Sequence, residues 1–186
     1  MAAASTISRK PDVRFLVSHP AHFIALGFGA GLAPRAPGTF GTLVAIPIVW
    51  LLLAAVPRDL VAFMALVVAF MAIPAFFLGV WACTITGRDL GVEDHGAMVF
   101  DEIVAFIPLC ALCLPGAMAT HDPLLLVVAF TLFRFFDIVK PPPIRALEKK
   151  VRGGLGVMLD DVFAAFYAYI AFAFFVIFAV NVLHLQ

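Results

Sequence analysis

The chain has 186 residues, of which 64% are hydrophobic and 13% charged, and its formal net charge at pH 7 is zero. Soluble domains carry about a quarter charged residues, so this chain lacks the polar residues needed to cover one large buried core. The neutral charge balance provides no electrostatic attraction for nucleic acid, and we expect no nucleic-acid partner.

Four uncharged stretches are long enough to cross a bilayer as helices. They are residues 36–57, 60–87, 103–121 and 162–186, and they contain 22, 28, 19 and 25 residues. A hydrocarbon core about 30 Å thick requires about 20 apolar residues in a helix. The sequence therefore predicts a protein that is embedded in membrane lipid.

The N-terminal part of the chain divides into a tail and a first helix. Residues 1–25 are predicted to form a mobile or interfacial cytoplasmic tail, and residues 26–186 the membrane-embedded domain. Residues 27–42 are rich in Gly and Pro and are not expected to be regular helix throughout. The first helix is predicted over residues 42–56, with Pro47 as a candidate kink.

Four further helices are predicted, joined by short polar or Pro/Gly-rich segments. They cover about residues 60–83, 98–119, 123–139 and 161–184. The helix at 123–139 contains Arg134 and Asp137, so its charged end is expected to turn inward. Residues 153–156 are interpreted as a flexible glycine loop, after which Asp160 or Asp161 caps the last helix.

These elements predict an all-α fold, a multi-pass membrane bundle of about five transmembrane or re-entrant helices. Five crossings place the two termini on opposite sides of the membrane. Eleven of the twelve Lys and Arg residues then lie on the side of the N-terminus or in the membrane edge facing it. The positive-inside rule makes that side the cytoplasm. Ten of the twelve acids lie there as well.

Acidic side chains from separate helix ends are expected to meet at this cytoplasmic edge. Ionised acids at the membrane are costly unless they are paired or bind a cation. Carboxylate oxygens suit the hard cation Mg²⁺, which keeps positions for water and phosphate. The candidates are Asp94 and His95 in the loop before the third helix, Asp101 and Glu102 at its start, Asp137 near the end of the fourth helix, and Asp160 and Asp161.

Two cations accompany the acid of the fourth helix. Arg134, Asp137 and Lys140 follow each other at intervals of three residues, which keeps them near one helical face. Charge pairing within the helix explains this pattern, and so does a cationic wall that binds phosphate. The pattern alone leaves both interpretations open.

The segment before the first helix is a candidate phosphate cradle. Residues 36–42 include Thr39, Gly41 and Thr42, and glycine-rich backbone at a helix N-terminus favours anions. A capped turn accounts for the segment equally well.

The three cysteines do not indicate a redox or metal site. Cys110 and Cys113 lie within an apolar stretch without a second pair, so we interpret them as small buried hydrophobic residues. Four residues separate Cys83 from Arg88, whereas phosphatases with a phosphocysteine intermediate require five.

Five motifs resemble the phosphatidylglycerophosphatase A family, in order and at compatible spacing. They are LAPRAPGTFGT at 32–42, GVEDHG at 91–96, FDEIV at 100–104, FRFFDIVKP at 133–141 and GVMLDDV at 156–162. The resemblance implies a Mg²⁺-dependent enzyme of the bacterial inner membrane that converts phosphatidylglycerol phosphate to phosphatidylglycerol. By resemblance, the six acids named above would form the site, with Thr39, Arg134 and Lys140 beside them. We add His95 as a catalytic candidate and assign phosphate binding to Thr39, Gly41, Thr42, Arg134 and Lys140. We assign the metal to Asp101, Glu102, Asp137 and Asp161.

The chain departs from the family pattern at three positions. We expect Gly where the chain has Ala105 and Ala165, and an aromatic residue where it has Pro142. None of these positions is charged, so the departures concern helix packing and lipid access.

A small ion-coupled transporter is the alternative from another functional class. Its acids would lie near the middle of the bilayer, and internal repeats would be expected. Here the acids gather at one membrane edge and no repeat is found, so the sequence favours the phosphatase.

Overall fold

A computed structural model describes residues 10–55, 57–120, 123–148 and 150–182. Within these residues all regular structure is helical and no strand occurs, which confirms the all-α prediction. The helices are α1 (Val13–Ser18), α2 (Pro20–Ala25), α3 (Pro37–Ala54), α4 (Val61–Leu90), α5 (Phe100–Thr120), α6 (Pro123–Val139), α7 (Ile144–Glu148) and α8 (Gly153–Val182). Short 3-10 segments cover Gly27–Leu32 and Arg58–Leu60.

Two helices of the described chain, α4 and α8, are long and apolar enough to cross a membrane. Only 17% and 22% of their most apolar windows are buried, so most of this apolar surface faces outward. Phe63, Phe70 and Phe174 are 62%, 64% and 70% exposed. Apolar surface of this extent is characteristic of contact with lipid or protein, and the two helices are compatible with a membrane protein. The predicted count of five crossings stays a prediction.

Helix α5 lies at the centre of the bundle. It packs against α3, α4, α6 and α8, and α8 also contacts α4 and α6. The fully buried rings of Phe106 on α5 and Phe133 on α6 have centroids 5.3 Å apart. Aromatic contacts at this separation stabilise a core beyond the area they bury. This packing fixes the beginning of α5 relative to the end of α6.

The last helix begins earlier than the sequence predicts. Helix α8 starts at Gly153, so the interpretation of residues 153–156 as a flexible loop is wrong. Gly154 lies so close to α4 that a Cβ atom would collide with the Val80 carbonyl oxygen. Asp160 and Asp161 consequently lie inside α8, about two turns after its start, and neither caps the helix.

Other helix bounds differ in ways that matter less for the site. Helix α3 begins at Pro37 rather than near residue 42, because proline suits the first helical position. Helix α4 continues to Leu90 and ends at Gly91, which adopts a left-handed conformation with φ of 74°. The prediction of 123–139 for α6 is confirmed.

The segment assigned to the N-terminal tail contains two packed helices. Ala21, His22 and Ala25 of α2 are buried, and α2 packs against α4. The His22 Nε2 atom lies 3.0 Å from Asp89 Oδ2 near the end of α4. Residues 13–25 are therefore not a loose tail, whereas residues 1–9 lie outside the described part. The domain boundary itself stays a prediction.

Candidate active site

Three buried carboxylates meet where α5 and α8 pack together. Asp101 and Glu102 occupy the first turn of α5, and Asp161 lies in the third turn of α8. All three residues are buried, and they offer carboxylate oxygens that lie within 4.8 Å of one another. We call these three residues the carboxylate cluster.

A fourth acid adjoins the carboxylate cluster from α6. The Asp137 carboxylate is close enough to act electrostatically on both Glu102 and Asp161. Four carboxylates beside the single guanidinium of Arg134 leave a formal excess of three negative charges. Mutual repulsion in a poorly hydrated site is costly unless protons or a cation compensate it. The arrangement therefore has the charge of a cation-binding site.

Arg134 links the acids to α3. Its Nη1 atom lies 2.8 Å from Asp137 Oδ2 and 3.7 Å from Glu102 Oε1. The same nitrogen donates a long hydrogen bond of 3.5 Å to Thr42 Oγ1. The buried Nε atom has no hydrogen-bond partner within the described chain. The structure thus shows Arg134 paired with acids, with one buried N–H donor that lacks a partner among the described residues, and phosphate binding by Arg134 stays a prediction.

Lys140 and Asp160 form a separate ion pair beside the cluster. Lys140 follows the end of α6, and its Nζ lies 3.0 Å from Asp160 Oδ2. Asp160 is buried, whereas Lys140 is partly exposed. Although Asp160 and Asp161 are adjacent, only Asp161 belongs to the cluster of three.

Asp94 lies at a polar cleft of about 330 Å³ next to this ion pair, and His95 is the next residue along the chain. Asp94, Arg152 and Asp160 line the cleft. The Nδ1 atom of His95 accepts a hydrogen bond of 3.1 Å from the backbone nitrogen of Ala97. His95 therefore stabilises the turn before α5, whereas the side chain that lines the polar cleft is that of Asp94.

The first turns of α3 cover the carboxylate cluster from another side. Thr42 is buried and donates a hydrogen bond of 3.0 Å to the Gly38 carbonyl oxygen. Gly41 packs tightly against Val99 just before α5, where a Cβ would meet the Val99 carbonyl at 2.9 Å. Thr39 is partly buried in the same turn. The predicted phosphate cradle is thus helical, with Thr42 in contact with Arg134.

Gly38 is a functional candidate that our sequence reasoning did not single out. A Cβ atom there would collide with Glu102 Oε1 and would stand 3.2 Å from both terminal nitrogens of Arg134. The sequence does contain a signal for this position. A glycine directly after the proline that starts a helix has no side chain to block access to the helix N-terminus.

The cluster has the composition required for a hard divalent cation. Asp101 Oδ1, Glu102 Oε2 and Asp161 Oδ2 are buried and lack a hydrogen-bond partner among the described residues. Buried carboxylate oxygens are normally satisfied, and oxygen-only ligand sets are preferred by Mg²⁺. The cysteines Cys83, Cys110 and Cys113 are buried free thiols, as predicted, and do not belong to the cluster. The residues therefore fit Mg²⁺.

Fold and site together define a protein whose described part has only helical regular structure, with outward-facing apolar helices and a largely buried centre of acids and arginine. A family model described as Phosphatidylglycerophosphatase A matches residues 23–176. The chain belongs to this family, which confirms the resemblance of the five motifs.

Curated relatives agree with the family assignment. A Phosphatidylglycerophosphatase A of Escherichia coli (strain K12) is 39% identical over 85% of the chain and 86% of the relative. One from Haemophilus influenzae is 41% identical over 86% of the chain and 91% of the relative. A protein of Bacteroides thetaiotaomicron named Putative phosphatidylinositol-3-phosphatase is 40% identical over 81% of the chain and 89% of the relative. No solved structure matches the chain.

Proposed function

We propose that the chain hydrolyses the terminal phosphomonoester of phosphatidylglycerol phosphate and releases phosphatidylglycerol and inorganic phosphate. The observation that supports this most strongly is the carboxylate cluster beside Arg134 in a chain of this family. Hydrolysis of a phosphate monoester requires charge neutralisation and an oriented water molecule. Acids and a guanidinium packed together supply residues for both tasks.

The acids have two tasks in this proposal. Asp101, Glu102, Asp137 and Asp161 would hold Mg²⁺, which acts as a Lewis acid and template when bound. One carboxylate of the site accepts the proton of the attacking water, as a general base does. The burial of Asp101, Glu102 and Asp161 excludes bulk water and strengthens the charge interactions between them.

The cations bind the phosphate group of the substrate. Arg134 offers guanidinium N–H groups that match the geometry of phosphate oxygens. Lys140 pairs with Asp160, which lines the polar cleft, and can exchange this carboxylate for a phosphate oxygen. Thr42 holds Arg134 in place, and Asp94 lines the cleft through which water and the released phosphate pass.

We further propose a location in the bacterial cytoplasmic membrane, with about five crossing or re-entrant helices and the site on the cytoplasmic side. Outward-facing apolar side chains on α4 and α8 support contact with lipid. The distribution of basic residues supports the orientation. An ion-coupled transporter is not favoured, because the acids lie near helix ends.

Phosphate release by the purified protein from defined lipid phosphates tests this function. We expect release from phosphatidylglycerol phosphate with Mg²⁺ and none with excess chelator. Phosphatidylinositol 3-phosphate is the informative comparison, because the Bacteroides relative bears that substrate in its name. A preference for the inositol lipid would show that the proposed substrate is wrong. Equal rates of phosphate release with and without chelator would contradict the proposed requirement for Mg²⁺.

The variant Asp101→Asn provides a matched control for this assay. Asparagine keeps the shape of the side chain but removes the charge that holds a hard cation. We expect folded protein without phosphate release, and full turnover by this variant would contradict the proposed site.

A further inference from the structure

An apolar groove of about 500 Å³ lies between α4, α5 and α8. Its size falls within the range of small-molecule sites, about 300–1,000 Å³. Its lining includes Phe76 and Phe77 from α4, Val104 and Leu112 from α5, and Leu159 and Phe166 from α8. The walls present almost only carbon atoms, so the groove suits a hydrocarbon chain and no polar headgroup.

One end of the groove lies about one helical turn from the carboxylate cluster along α5 and α8. Ala105 follows Asp101 by four residues on α5, and Ala165 follows Asp161 by four residues on α8. Residues four apart lie on the same helix face about one turn apart, and both alanines line the groove. From Val104 to Leu112 the groove follows α5 for about 12 Å. It therefore leads from the acids into the apolar part of the bundle.

We propose that this groove binds an acyl chain of the lipid phosphate whose phosphate group occupies the site at Arg134 and the carboxylate cluster. The proposal rests on the function proposed above and adds the place where the lipid chain binds. A lipid phosphate matches both parts at once, because its anionic end and its hydrocarbon chain are covalently joined. A surrounding membrane lipid or a second copy of the chain would not require a groove that begins about one helical turn from a buried carboxylate cluster.

The two alanines lie at the end of the groove nearest the carboxylate cluster, and their methyl groups occupy space on the facing helices α5 and α8. Leu112 lies toward the far end of the groove on α5 and limits how deeply the acyl chain enters.

Chain-length dependence tests the groove. We would measure kcat/KM for phosphatidylglycerol phosphate with long acyl chains and with short acyl chains, and compare their ratio between proteins. One methylene in an apolar pocket changes the rate by about 10- to 200-fold. Leu112→Trp should therefore lower the long-to-short ratio by at least about tenfold. The control Leu66→Trp, at an exposed position of α4 outside the groove, should keep the ratio of the unmodified protein.

An unchanged long-to-short ratio of kcat/KM in Leu112→Trp would contradict acyl-chain binding in the groove. It would not contradict the proposed hydrolysis, because the unmodified protein would still release phosphate. Absence of release from either substrate by the unmodified protein would instead contradict the proposed function. The two failures are thus distinguishable.

Photolabelling of the unmodified protein provides a measurement that does not depend on a variant folding. The probe is phosphatidylglycerol phosphate with a diazirine at the end of one acyl chain, in phosphatidylcholine vesicles. We expect labelled residues on the facing sides of α4, α5 and α8 near Leu112, and less labelling when unlabelled long-chain substrate is added. Labelling that the competitor does not reduce would assign the groove to ordinary membrane lipid. Labelling elsewhere, or cross-links between two copies that seal the groove, would also overturn the proposal.

Discussion

Two adjacent acids, Asp160 and Asp161, have different surroundings in the structure. Successive helical residues point about 100° apart, so Asp160 faces Lys140 while Asp161 joins Asp101 and Glu102. A partly exposed ion pair and a proposed cation ligand are expected to respond differently to the loss of charge. Their neutral variants therefore separate a supporting role from metal binding.

We predict that Asp161→Asn lowers turnover by at least about 100-fold, which corresponds to about 2.7 kcal/mol of barrier. The physical reason is that an amide oxygen holds a hard cation poorly. Asp160→Asn should lower turnover clearly less, because it keeps the carboxylate cluster and weakens the ion pair with Lys140. Turnover and thermal unfolding of both variants decide this. If both stay fully active, this part of α8 is structural only.

Asp161→Asn should also change thermal stability in a characteristic direction. In excess chelator the variant should unfold at a higher temperature than the unmodified protein, because one of several mutually repelling buried charges is gone. A lower unfolding temperature would indicate that Asp161 forms stabilising contacts instead.

Gly38 allows a second test at the level of single residues. A methyl group at this position would displace Glu102 or Arg134, and a displacement of about 1 Å in a catalytic site can cost about 100-fold. Gly38→Ala should therefore lower turnover by at least about tenfold, although alanine favours helix. Gly96→Ala is the matched control, because a Cβ there has open space. Equal activity of the two variants would contradict the steric argument.

At the level of helices, local signals were sufficient in some places and insufficient in others. The bounds of α6 follow from Pro123 at its start and Pro141 after its end, and both act within the chain itself. The start of α8 could not be predicted in this way. Gly153 and its neighbours indicate a loop by composition, yet they are helical because Gly154 lets α8 approach the backbone of α4. That contact depends on tertiary structure.

This contact leads to a prediction about how α8 is held. A methyl group in Gly154→Ala would collide with the Val80 carbonyl oxygen and the Thr84 hydroxyl, and overpacking of this kind typically costs about 1–3 kcal/mol. We expect a lower unfolding temperature, and lower turnover because α8 carries Asp161. The neighbouring Leu155→Ala should have little effect, since Leu155 is exposed. Similar unfolding temperatures for both variants would show that the contact between Gly154 and α4 leaves room for a methyl group.

For the whole molecule, the sequence predicts which acids share one end of the bundle but not which of them touch. In the predicted topology, alternating crossings bring the starts of α5 and α8 and the end of α6 to one level, and the charge distribution identifies that level. The division of the acids into a cluster and an ion pair depends on helix rotation. An error of one residue in a predicted helix changes the direction of a side chain around the helix axis by about 100°. Only the structure therefore separates the surroundings of Asp160 from those of Asp161.

Topology is the prediction at the scale of the entire molecule. Helix α4 has 30 residues, about 45 Å at 1.5 Å per residue, which matches a bilayer including its headgroups at about 40–45 Å. Asp59 before α4 and Arg88 near its end should therefore lie on opposite sides of the membrane. The positive-inside rule assigns Arg88 to the cytoplasm, together with the segments at 84–97 and 140–160 that border the site.

Cysteine labelling of intact cells with a membrane-impermeant maleimide measures this arrangement. Asp59→Cys should be labelled from outside, whereas Arg88→Cys and Arg145→Cys should react only after the cells are opened. The background should be low, because Cys83, Cys110 and Cys113 are buried, and the unmodified protein is the control for it. All three substituted positions lie on exposed parts of the chain, so a lack of labelling reflects the membrane rather than burial. Strong external labelling at Arg88→Cys or Arg145→Cys would contradict a site on the cytoplasmic face. The acids would then meet at the outer surface, and the substrate would have to reach them from there.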